Sequence, residues 1–431
     1  MNLLASFVNA FKVPDLRKKI LFTLLIIAVY RFGAHVPTPG IDVEAAQRFA
    51  ANAQGGVYAF INLFSGGALT QMAVFALGIM PYITSSIIMQ LLTVVIPRLE
   101  TWSKEGESGQ KKINQWTRYL TVLLALIQST ALAFLANSGQ LQDSTGAPVD
   151  LIPNFSAPYV ALIVLSLTAG TALIMWLGEL ISQKGIGNGM SILIFASIIS
   201  TLPSEGAAIL AARGMGTFLV VVALGILIIV AIVIMEQGQR RIPVQYAKRV
   251  VGRRMYGGQS VYIPLKVNQA GVIPIIFASS VLYIPTLLSN VIRNQGVSDW
   301  ISNNLVDSRS ITYMLLYGLM VIFFAYFYTA IAFNPVEQAE NMKKYGGFIP
   351  GIRPGRQTAE YLDRILTRIT LPGALFVAFI ALLPSIFFAT QGIQQLPFGG
   401  TSILITVGVT LETMKQIESQ LMMRHYEGFL K

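Results

Sequence analysis

The amino-acid sequence predicts an all-α membrane protein that crosses the bilayer many times. Of its 431 residues, 54% are hydrophobic and only 12% are charged, and the mean hydropathy is +0.62. Soluble domains carry roughly 25% charged residues. A second observation is the length of the apolar runs, which repeatedly approach the ~20 residues that a helix needs to cross a bilayer. The third is the way in which Lys and Arg are distributed between these runs.

Ten apolar windows predict ten transmembrane helices. They lie at about 20–36, 73–95, 117–137, 157–178, 187–203, 216–236, 268–292, 311–333, 371–390 and 399–417. The first window follows a basic N-terminal segment and superficially resembles a signal peptide. It is too long for the apolar region of such a peptide and has no small-residue cleavage site, so we interpret it as a retained span.

The basic residues test this count, because cytoplasmic loops of membrane proteins are enriched in Lys and Arg. With the N-terminus in the cytoplasm, the predicted cytoplasmic segments hold 26 of the 31 Lys and Arg residues, where Arg118 and Lys415 at the cytoplasmic ends of their windows are counted with these segments. The external loops hold four, and Arg31 lies within the first span. One span more or fewer would exchange the cytoplasmic and external sides for all later loops, and the basic residues would then no longer be concentrated on one side. The prediction is therefore ten spans with both termini in the cytoplasm.

Two predicted cytoplasmic loops, at about 237–267 and 334–370, are longer than ordinary connections. The first contains RRIPVQYAKRVVGRRMYGG (240–258), in which basic and aromatic residues alternate without an acid, and the second contains GGFIPGIRPG (346–355). Topology alone explains any single basic residue. The length and composition of the loops favour ordered surfaces that dock a partner with an acidic or nucleic-acid surface. The basic residues of the first loop are Arg240, Arg241, Lys248, Arg249, Arg253 and Arg254.

Residues for covalent chemistry are scarce. The chain has no cysteine and only two histidines, far apart, and it lacks the H-E-x-x-H pattern of metalloproteases. We therefore predict no enzyme activity, no metal and no cofactor. An ion-coupled transporter generally needs ionisable side chains inside the bilayer, whereas Arg31 and Glu179 lie near the ends of their spans. Both are expected to snorkel or to join a local polar cluster. GIGNG (185–189) lacks the full glycine pattern of a nucleotide loop and predicts a tight turn.

The segment GGVYAFINLFSGGALTQM (55–72) precedes the second span on the external side. From Val57 to Phe64 it is long enough for about two helical turns, ~12 Å, and Ser65-Gly66-Gly67 then permits a break. Two interpretations stay open. The segment either lies flat on the membrane or folds back into the protein, which is allowed where irregular backbone faces protein or water.

The motifs of the chain resemble those of the SecY family, the channel subunits of bacterial preprotein translocases. The resemblance is carried by FSGGALTQMAVFALGIMPYITSSIIMQLL (64–92), EGESGQKK (105–112), GIGNG, GQRRIPVQYAKR (238–249), PLKVNQAGVIPIIFASS (264–280), FNP (333–335) and GGFIPGIRPG. They occur in order along nearly the whole chain, and only the loops 3/4 and 7/8 are too variable to compare.

The resemblance implies a fold of ten transmembrane helices in two inverted, pseudo-symmetric halves, here about 1–203 and 204–431, around a central pore. It implies that the pore passes unfolded preproteins. It also implies that a short plug helix closes the outer half of the pore, which matches the segment at about 57–72. The expected plug residues are Val57, Phe60, Phe64, Gly66 and Gly67.

The resemblance also implies a constriction made of a ring of mostly aliphatic side chains. Motif alignment places it at Ile79, Ile83, Ile194, Ile276, Thr401 and Ile405. The sequence alone would not select these positions, because most isoleucines in a span face lipid or pack in the core. The spacing is compatible, since residues four apart share a helix face. Thr401 departs from the aliphatic pattern and would slightly wet the seal.

A lateral gate is the second functional element that the resemblance implies. It opens between the second and third spans on one side and the seventh and eighth on the other, and it releases apolar segments into lipid. We expect its polar residues to be Thr84, Ser85, Gln90, Glu179 and Asn268. Ordinary interhelical packing is the alternative explanation for these side chains.

In this family the loops 6/7 and 8/9 are docking surfaces for the motor ATPase SecA and for the ribosome, including ribosomal RNA, through sequence-independent phosphate contacts. Arg353 and Arg356 of the second loop join the basic residues of the first as expected contacts. The other implied partners are the small membrane subunits SecE and SecG, preprotein signal sequences and lipid, in the bacterial cytoplasmic membrane. A secondary transporter with inverted repeats and an intramembrane hydrolase are the alternatives. The lack of intramembrane carboxylates and of catalytic residues disfavours them.

Overall fold

The structure, a computed structural model, describes residues 11–428 with several gaps. The gaps are 53–61, 63, 138–150, 154, 247–248, 252–253, 257–259, 292–294, 308–309 and 392–399. Of the expected site residues, Val57, Phe60, Lys248 and Arg253 therefore lie outside the described residues.

Helices make up most of the described chain as far as residue 237. They are α1 (Pro14–Gly33), α2 (Val43–Asn52), α3 (Met80–Val95), α4 (Pro97–Lys104), α5 (Glu107–Asn137), α6 (Ala157–Lys184) and α7 (Gly189–Gln237). Gly214, with φ 76° and ψ 177°, interrupts α7 and divides it into Gly189–Ala211 and Gly214–Gln237. The connection expected between the fifth and sixth spans is therefore largely helical, because the fifth span continues to Ala211.

The remainder of the chain contains five strands as well as helices. The strands are β1 (Gln239–Tyr246), β2 (Arg249–Val251), β3 (Arg254–Tyr256), β4 (Ser260–Lys266) and β5 (Gly347–Phe348). The helices are α8 (Ile273–Val291), α9 (Gln295–Ile301), α10 (Ile311–Ala332), α11 (Pro335–Lys344), α12 (Arg356–Gln391) and α13 (Gly400–Gly428), with a π-helical turn at Ser302–Val306. Both predicted long loops thus contain strands or helices in their described residues, and α12 begins well before the ninth predicted span.

The second span begins later than the apolar window 73–95 predicts. The chain forms turns from Gly66 to Ile79, and α3 starts at Met80. Gly66, Gly67 and Gly78 have positive φ, and so does Met72 at 45°, which stops helical hydrogen bonding. Strand-like hydrogen bonds to the segment after α1 replace the helical ones. Thr38 N donates to Met72 O at 3.1 Å, and Val74 N donates to Val36 O at 2.9 Å. A hydropathy window reflects the apolar composition of this stretch but carries no information on its backbone conformation.

A sharp bend separates α3 from α4. Ile96 has φ −99° and ψ 111°, and the two helices are bent by 102°. The cause is Pro97, because a proline disfavours the helical conformation of the residue before it. The apolar helix α3 therefore ends at Val95, and the polar α4 leaves in another direction.

Six helical segments of the described chain are long and apolar enough to cross a membrane. They are Glu107–Asn137, Ala157–Lys184, Gly189–Ala211, Gly214–Gln237, Ile311–Lys344 and Arg356–Leu383. The bent pair α3 and α4 passes the same test when its two helices are taken together. The structure is thus a predominantly helical, polytopic membrane protein, and the count of ten spans stays a prediction.

The contacts divide the chain into two compact units. The first unit contains Met1–Val221, Gln391–Phe398 and Ile405–Lys431, and the second contains Val222–Thr390 and Gly399–Leu404. The last helix contributes to both units. This division by contacts does not test the predicted inverted halves 1–203 and 204–431, which stay a prediction.

The first unit is held together by a seam of small residues along α5. All buried residues of this helix but Ala136 recur every four positions, and all of these but Ile113 are small: Gly109, Ile113, Thr117, Thr121, Ala125, Ser129 and Ala133. Small residues let helix backbones approach closely in a membrane, where lipid is as apolar as a large side chain. A seam with this spacing packs α5 against α3, α4 and α6, while Leu123 and Ile127 stay exposed on the opposite face.

Candidate functional site: constriction, plug root, seam and platform

The expected constriction residues lie in helices or, for Ile79, at a helix N-cap, and most are buried. Each of the five isoleucines is at most 9% exposed, and Thr401 is partly buried. Ile79 caps the N-terminus of α3, and its carbonyl accepts a hydrogen bond from Ile83 N at 3.1 Å, so these two residues share the first turn. Ile79, Ile83, Ile194 and Ile405 belong to the first unit, and Ile276 and Thr401 belong to the second. Their convergence on one axis stays a prediction.

The root of the expected plug, which we define as Phe64–Gly67, is packed tightly within the first unit. Phe64 and Ser65 are fully buried. The helical conformation ends after Ser65, and Gly66 and Gly67 have φ 63° and 90°, as the Ser-Gly-Gly break predicts. Arg31 Nη1 of α1 donates to Gly66 O at 2.7 Å. The predicted local polar environment of Arg31 is thus the backbone of the plug root.

Ser85 joins the second span to the third. Its hydroxyl is fully buried and donates to Thr117 O of α5 at 2.6 Å. Thr84 donates to Met80 O within its own helix at 3.0 Å, and Gln90 is exposed. Of the three polar residues expected on this side of the gate, only Ser85 bonds to a neighbouring helix, and its partner lies in its own unit.

Asn268 also has its partners within its own unit. Its amide donates to Glu236 Oε1 at 2.6 Å and to Gly271 O at 3.1 Å. Glu236 lies at the end of α7 and Asn268 precedes α8, so the amide ties the ends of these helices together. Its role in a gate stays a prediction.

Glu179 of α6 forms an ion pair with Arg118 of α5. Arg118 Nε donates to Glu179 Oε1 at 2.7 Å, and Arg118 Nη1 donates to Gln115 Oε1 at 3.0 Å. The side chains are 39% and 23% exposed. This pair confirms the local polar cluster expected for Glu179. Sequence reasoning missed Arg118 because it counted that residue as part of the basic cytoplasmic segment.

The two long loops meet in one sheet of the second unit. Strand β1 pairs antiparallel with β4 from Gln239↔Lys266 to Gln245↔Ser260, and it pairs with β5 at Gln245↔Phe348 and Tyr246↔Gly347. The strand order is β4-β1-β5. We call β1, β4, β5 and α11 together the platform. The sequence analysis predicted order in these loops but not a sheet. The pairing of β5 in particular has no sequence signal, because β5 has only two residues and its partner lies about a hundred residues earlier.

A hydrophobic core fixes the platform to the start of α12. It consists of Ile242, Val244, Leu265, Met342, Ile349, Leu362, Ile365 and Leu366. Ile242 and Val244 alternate with exposed residues along β1, as a strand with one buried face requires. Gly373 of α12 also approaches the base of β4 closely, since a Cβ at this position would overlap Val267 O.

Arg353 is exposed on a loop whose neighbouring residues are anchored. Ile349 is 3% exposed, and Ile352 packs against the same core. Thr358 Oγ1 donates to Arg353 O at 2.9 Å, and Gly351 and Gly355 supply positive φ at 82° and 107°. The loop therefore presents the guanidinium from a fixed backbone.

The other described docking residues lie on β1, on α12 and on a separate two-stranded sheet. Arg240 and Arg241 are exposed on β1, and Arg356 is exposed and paired with Glu360 at 2.9 Å. Arg249 and Arg254 lie on the paired strands β2 and β3, in register with Tyr256 and Val251 respectively. Within the described residues, no group of three or more His, Asp or Glu side chains has an arrangement that could hold a metal ion.

Comparisons with known proteins agree with this architecture. The SecY family model matches residues 73–414. The chain is 56% identical over 437 residues to the protein translocase subunit SecY of Streptomyces coelicolor, covering 100% of both chains. It is 54% identical over 444 residues to the protein of the same name from Mycobacterium tuberculosis H37Rv, again covering 100% of both.

Solved structures share the fold at low sequence identity. A structure that describes the plug domain of SecY as stabilising the closed channel matches with a TM-score of 0.62 and 17% identity, over 94% of this chain and 92% of that one. The structure of a protein conducting channel matches with a TM-score of 0.58 and 18% identity over the same shares. With the family model covering most of its length and full-length relatives above half identity, the chain belongs to the SecY family.

Proposed function

We propose that this protein is the channel subunit of a protein translocase, which passes unfolded preproteins across the membrane and releases apolar segments sideways into lipid. The observation that carries the proposal is the full-length identity of 56% to a protein translocase subunit. The similarity leaves no large segment of the chain unmatched, and the fold is that of protein-conducting channels.

The constriction is proposed to be the ring of Ile79, Ile83, Ile194, Ile276, Thr401 and Ile405. An aliphatic collar gives an ion or a water molecule no substitute for its hydration shell, so a narrow resting pore stays dewetted. Flexible apolar side chains also do not discriminate among the residues of a passing polypeptide. The burial of all five isoleucines, four within helices and Ile79 at the N-cap of α3, supports this role.

The lateral gate is proposed to open beside the seam between α3 and α5. Ser85 couples these two helices by its bond to Thr117 O, which supports their movement as one body. The polar side chains Thr84, Gln90 and Asn268 are proposed to contribute weak contacts across the closed gate. Interhelical hydrogen bonds in membranes average about 0.6 kcal/mol, which is small enough for an arriving apolar segment to displace.

The platform is proposed as the docking surface for cytoplasmic partners. Its exposed basic residues, which include Arg240, Arg241 and Arg353, suit an acidic protein surface or the phosphates of ribosomal RNA. We propose SecA and the ribosome as these partners, and SecE and SecG as small membrane subunits. Related channels have been seen in a canine ribosome–channel complex and on the yeast 80S ribosome. The bacterial cytoplasmic membrane, with both termini inside, is the proposed location.

Reconstitution tests the channel function directly. The protein is incorporated into vesicles with a SecE subunit, and SecA, ATP and a preprotein are then added. The expected result is preprotein that is protected from external protease until detergent is added. Vesicles without this chain are the control, and a complete system that gives no protected preprotein would contradict the proposal.

A further inference from the structure

Two adjacent residues of α1 contact the plug root. Arg31 Nη1 donates to Gly66 O at 2.7 Å, and Tyr30 Oη lies 3.3 Å from Ser65 O. Tyr30 Oη also lies 2.6 Å from Ser197 Oγ on α7. Because the Tyr30 hydroxyl donates its one proton to Ser65 O, the Ser197 hydroxyl is the donor in their contact, and the same proton can also be donated to Leu193 O at 2.9 Å. The root is thus bonded to the first span and, through Tyr30, linked to the fifth.

Steric packing reinforces these bonds. A Cβ on Gly66 would lie 3.0 Å from Arg31 Nη1 and 3.1 Å from Ser197 Cα, so the glycine is enclosed by α1 and α7. On the other side, a Cβ on Gly78 would lie 2.9 Å from Phe64 O. Tyr30 is itself held by stacking on Phe75, with ring centroids 5.8 Å apart. The contacts specify one position of the root.

The bond from Arg31 differs from the ion pair between Arg118 and Glu179 in the same unit. Arg118 is paired with the carboxylate of Glu179, whereas no carboxylate of the described chain lies within ion-pair distance of Arg31. Arg31 donates to a neutral carbonyl near the end of its span. Breaking this bond leaves no buried carboxylate behind, and a long guanidinium side chain near a helix end reaches interfacial water. The contact is therefore strong enough to hold the root and is reversible.

We propose that Tyr30, Arg31 and Ser197 form a latch that holds the plug root in the closed position, with Arg31 as its principal positioning residue. This inference rests on the proposed channel function, because the plug root has a closed position only if the chain forms a pore. We expect the root to be released when α1 and α7 move apart, because α1 contributes Tyr30 and Arg31 to the latch and α7 contributes Ser197.

The test measures access to the root without any transport. Ala68 is fully buried two residues after Gly66, and the chain has no cysteine, so an Ala68→Cys variant carries a single buried thiol. Intact membranes that contain the variant are treated with a membrane-impermeant maleimide from the external side, in the absence of preprotein, partner and ATP. Arg31→Met in this background is expected to increase the labelling rate about tenfold, the size typical of losing one charge-assisted hydrogen bond.

Two matched variants make the result specific. Arg31→Lys keeps a cation that reaches the same carbonyl and is expected to stay within about threefold of the parent rate. Arg48→Met removes an exposed cation of α2, on the same predicted side of the membrane, and is expected to leave the rate unchanged. Equal labelling in Arg31→Met and the Ala68→Cys parent, or an equal increase in Arg48→Met, would overturn the latch.

Tyr30→Phe keeps the ring that stacks on Phe75 and removes only the hydroxyl, so it provides a test if Arg31→Met does not accumulate. Its labelling rate is expected to rise severalfold, and an unchanged rate would overturn the latch. Since the labelling requires no transport, its outcome is independent of the vesicle assay. If the vesicle assay shows no export but Arg31→Met alters the labelling rate, only the channel function is contradicted. If export is normal but Arg31→Met leaves the labelling rate unchanged, only the latch is contradicted.

Discussion

Tyr246 pairs with Gly347 at the end of the β1–β5 ladder, and this pair joins two loops that lie about a hundred residues apart in the sequence. The packing at this pair is close, since a Cβ on Gly347 would lie 3.0 Å from Tyr246 Cε1. The consequence is that the basic strand β1 and the Arg353 loop form one platform and do not move as independent loops.

The first prediction concerns Arg353 on this platform. Arg353→Glu reverses the charge of an exposed side chain whose backbone is anchored, so it is expected to reduce ATP-driven export more than tenfold while the protein still accumulates and assembles with its small subunits. Export into vesicles and SecA binding measure the effect. Arg364→Glu, an equal charge reversal at an exposed position of α12, is the control. Normal export by Arg353→Glu would refute its docking role.

The second prediction concerns the proposed constriction. Ile83→Ser places a hydroxyl in the ring and favours wetting of the resting pore, so ion conductance in a planar bilayer is expected to increase severalfold. Ile88→Ser makes the same change on another face of α3 and is expected to leave the conductance near the original value. Equal conductance of the two variants would show that Ile83 does not line the constriction.

The third prediction concerns Asn268 and the lateral gate. Asn268→Leu removes the amide that donates to Glu236 Oε1, and it is expected to lower the hydrophobicity that a signal sequence needs for export by about the contribution of one leucine. A series of signal sequences with increasing leucine content measures the threshold. Asn303→Leu, at an exposed position of the same unit, is the comparison. An unchanged threshold in Asn268→Leu would count against a gate at this position.

The fourth prediction compares two ion pairs of different exposure. Glu179→Gln removes the charge from a pair whose side chains are 39% and 23% exposed, and the free energy of unfolding is expected to fall by about 1–2 kcal/mol. Glu360→Gln removes the charge from the pair with Arg356, whose side chains are 59% and 92% exposed, and a change below about 0.5 kcal/mol is expected. Thermal unfolding in detergent measures both. A larger loss in Glu360→Gln would contradict the ranking.

Hydropathy predicted the helical spans well wherever the apolar runs are regular. The window 311–333 corresponds to α10 at Ile311–Ala332, and the turn predicted at GIGNG separates α6 from α7. It was wrong about the start of the second span, because the residues between Gly66 and Ile79 are apolar but have turn conformations. It also missed the sheet, since β1 and β4 lie outside the apolar windows and the two residues of β5 leave no periodic pattern.

The sequence by itself determined that this is a helical membrane protein with basic, ordered loops, and its motifs identified the family. These properties follow from composition, from run length and from charge, which are local. Only the tertiary structure decided that Arg31 bonds to Gly66, that Ser85 bonds to Thr117 and that β5 completes the platform. Each of these depends on residues distant in sequence that are brought together by backbone geometry, and a carbonyl oxygen that accepts a hydrogen bond has no signature in the residue that carries it.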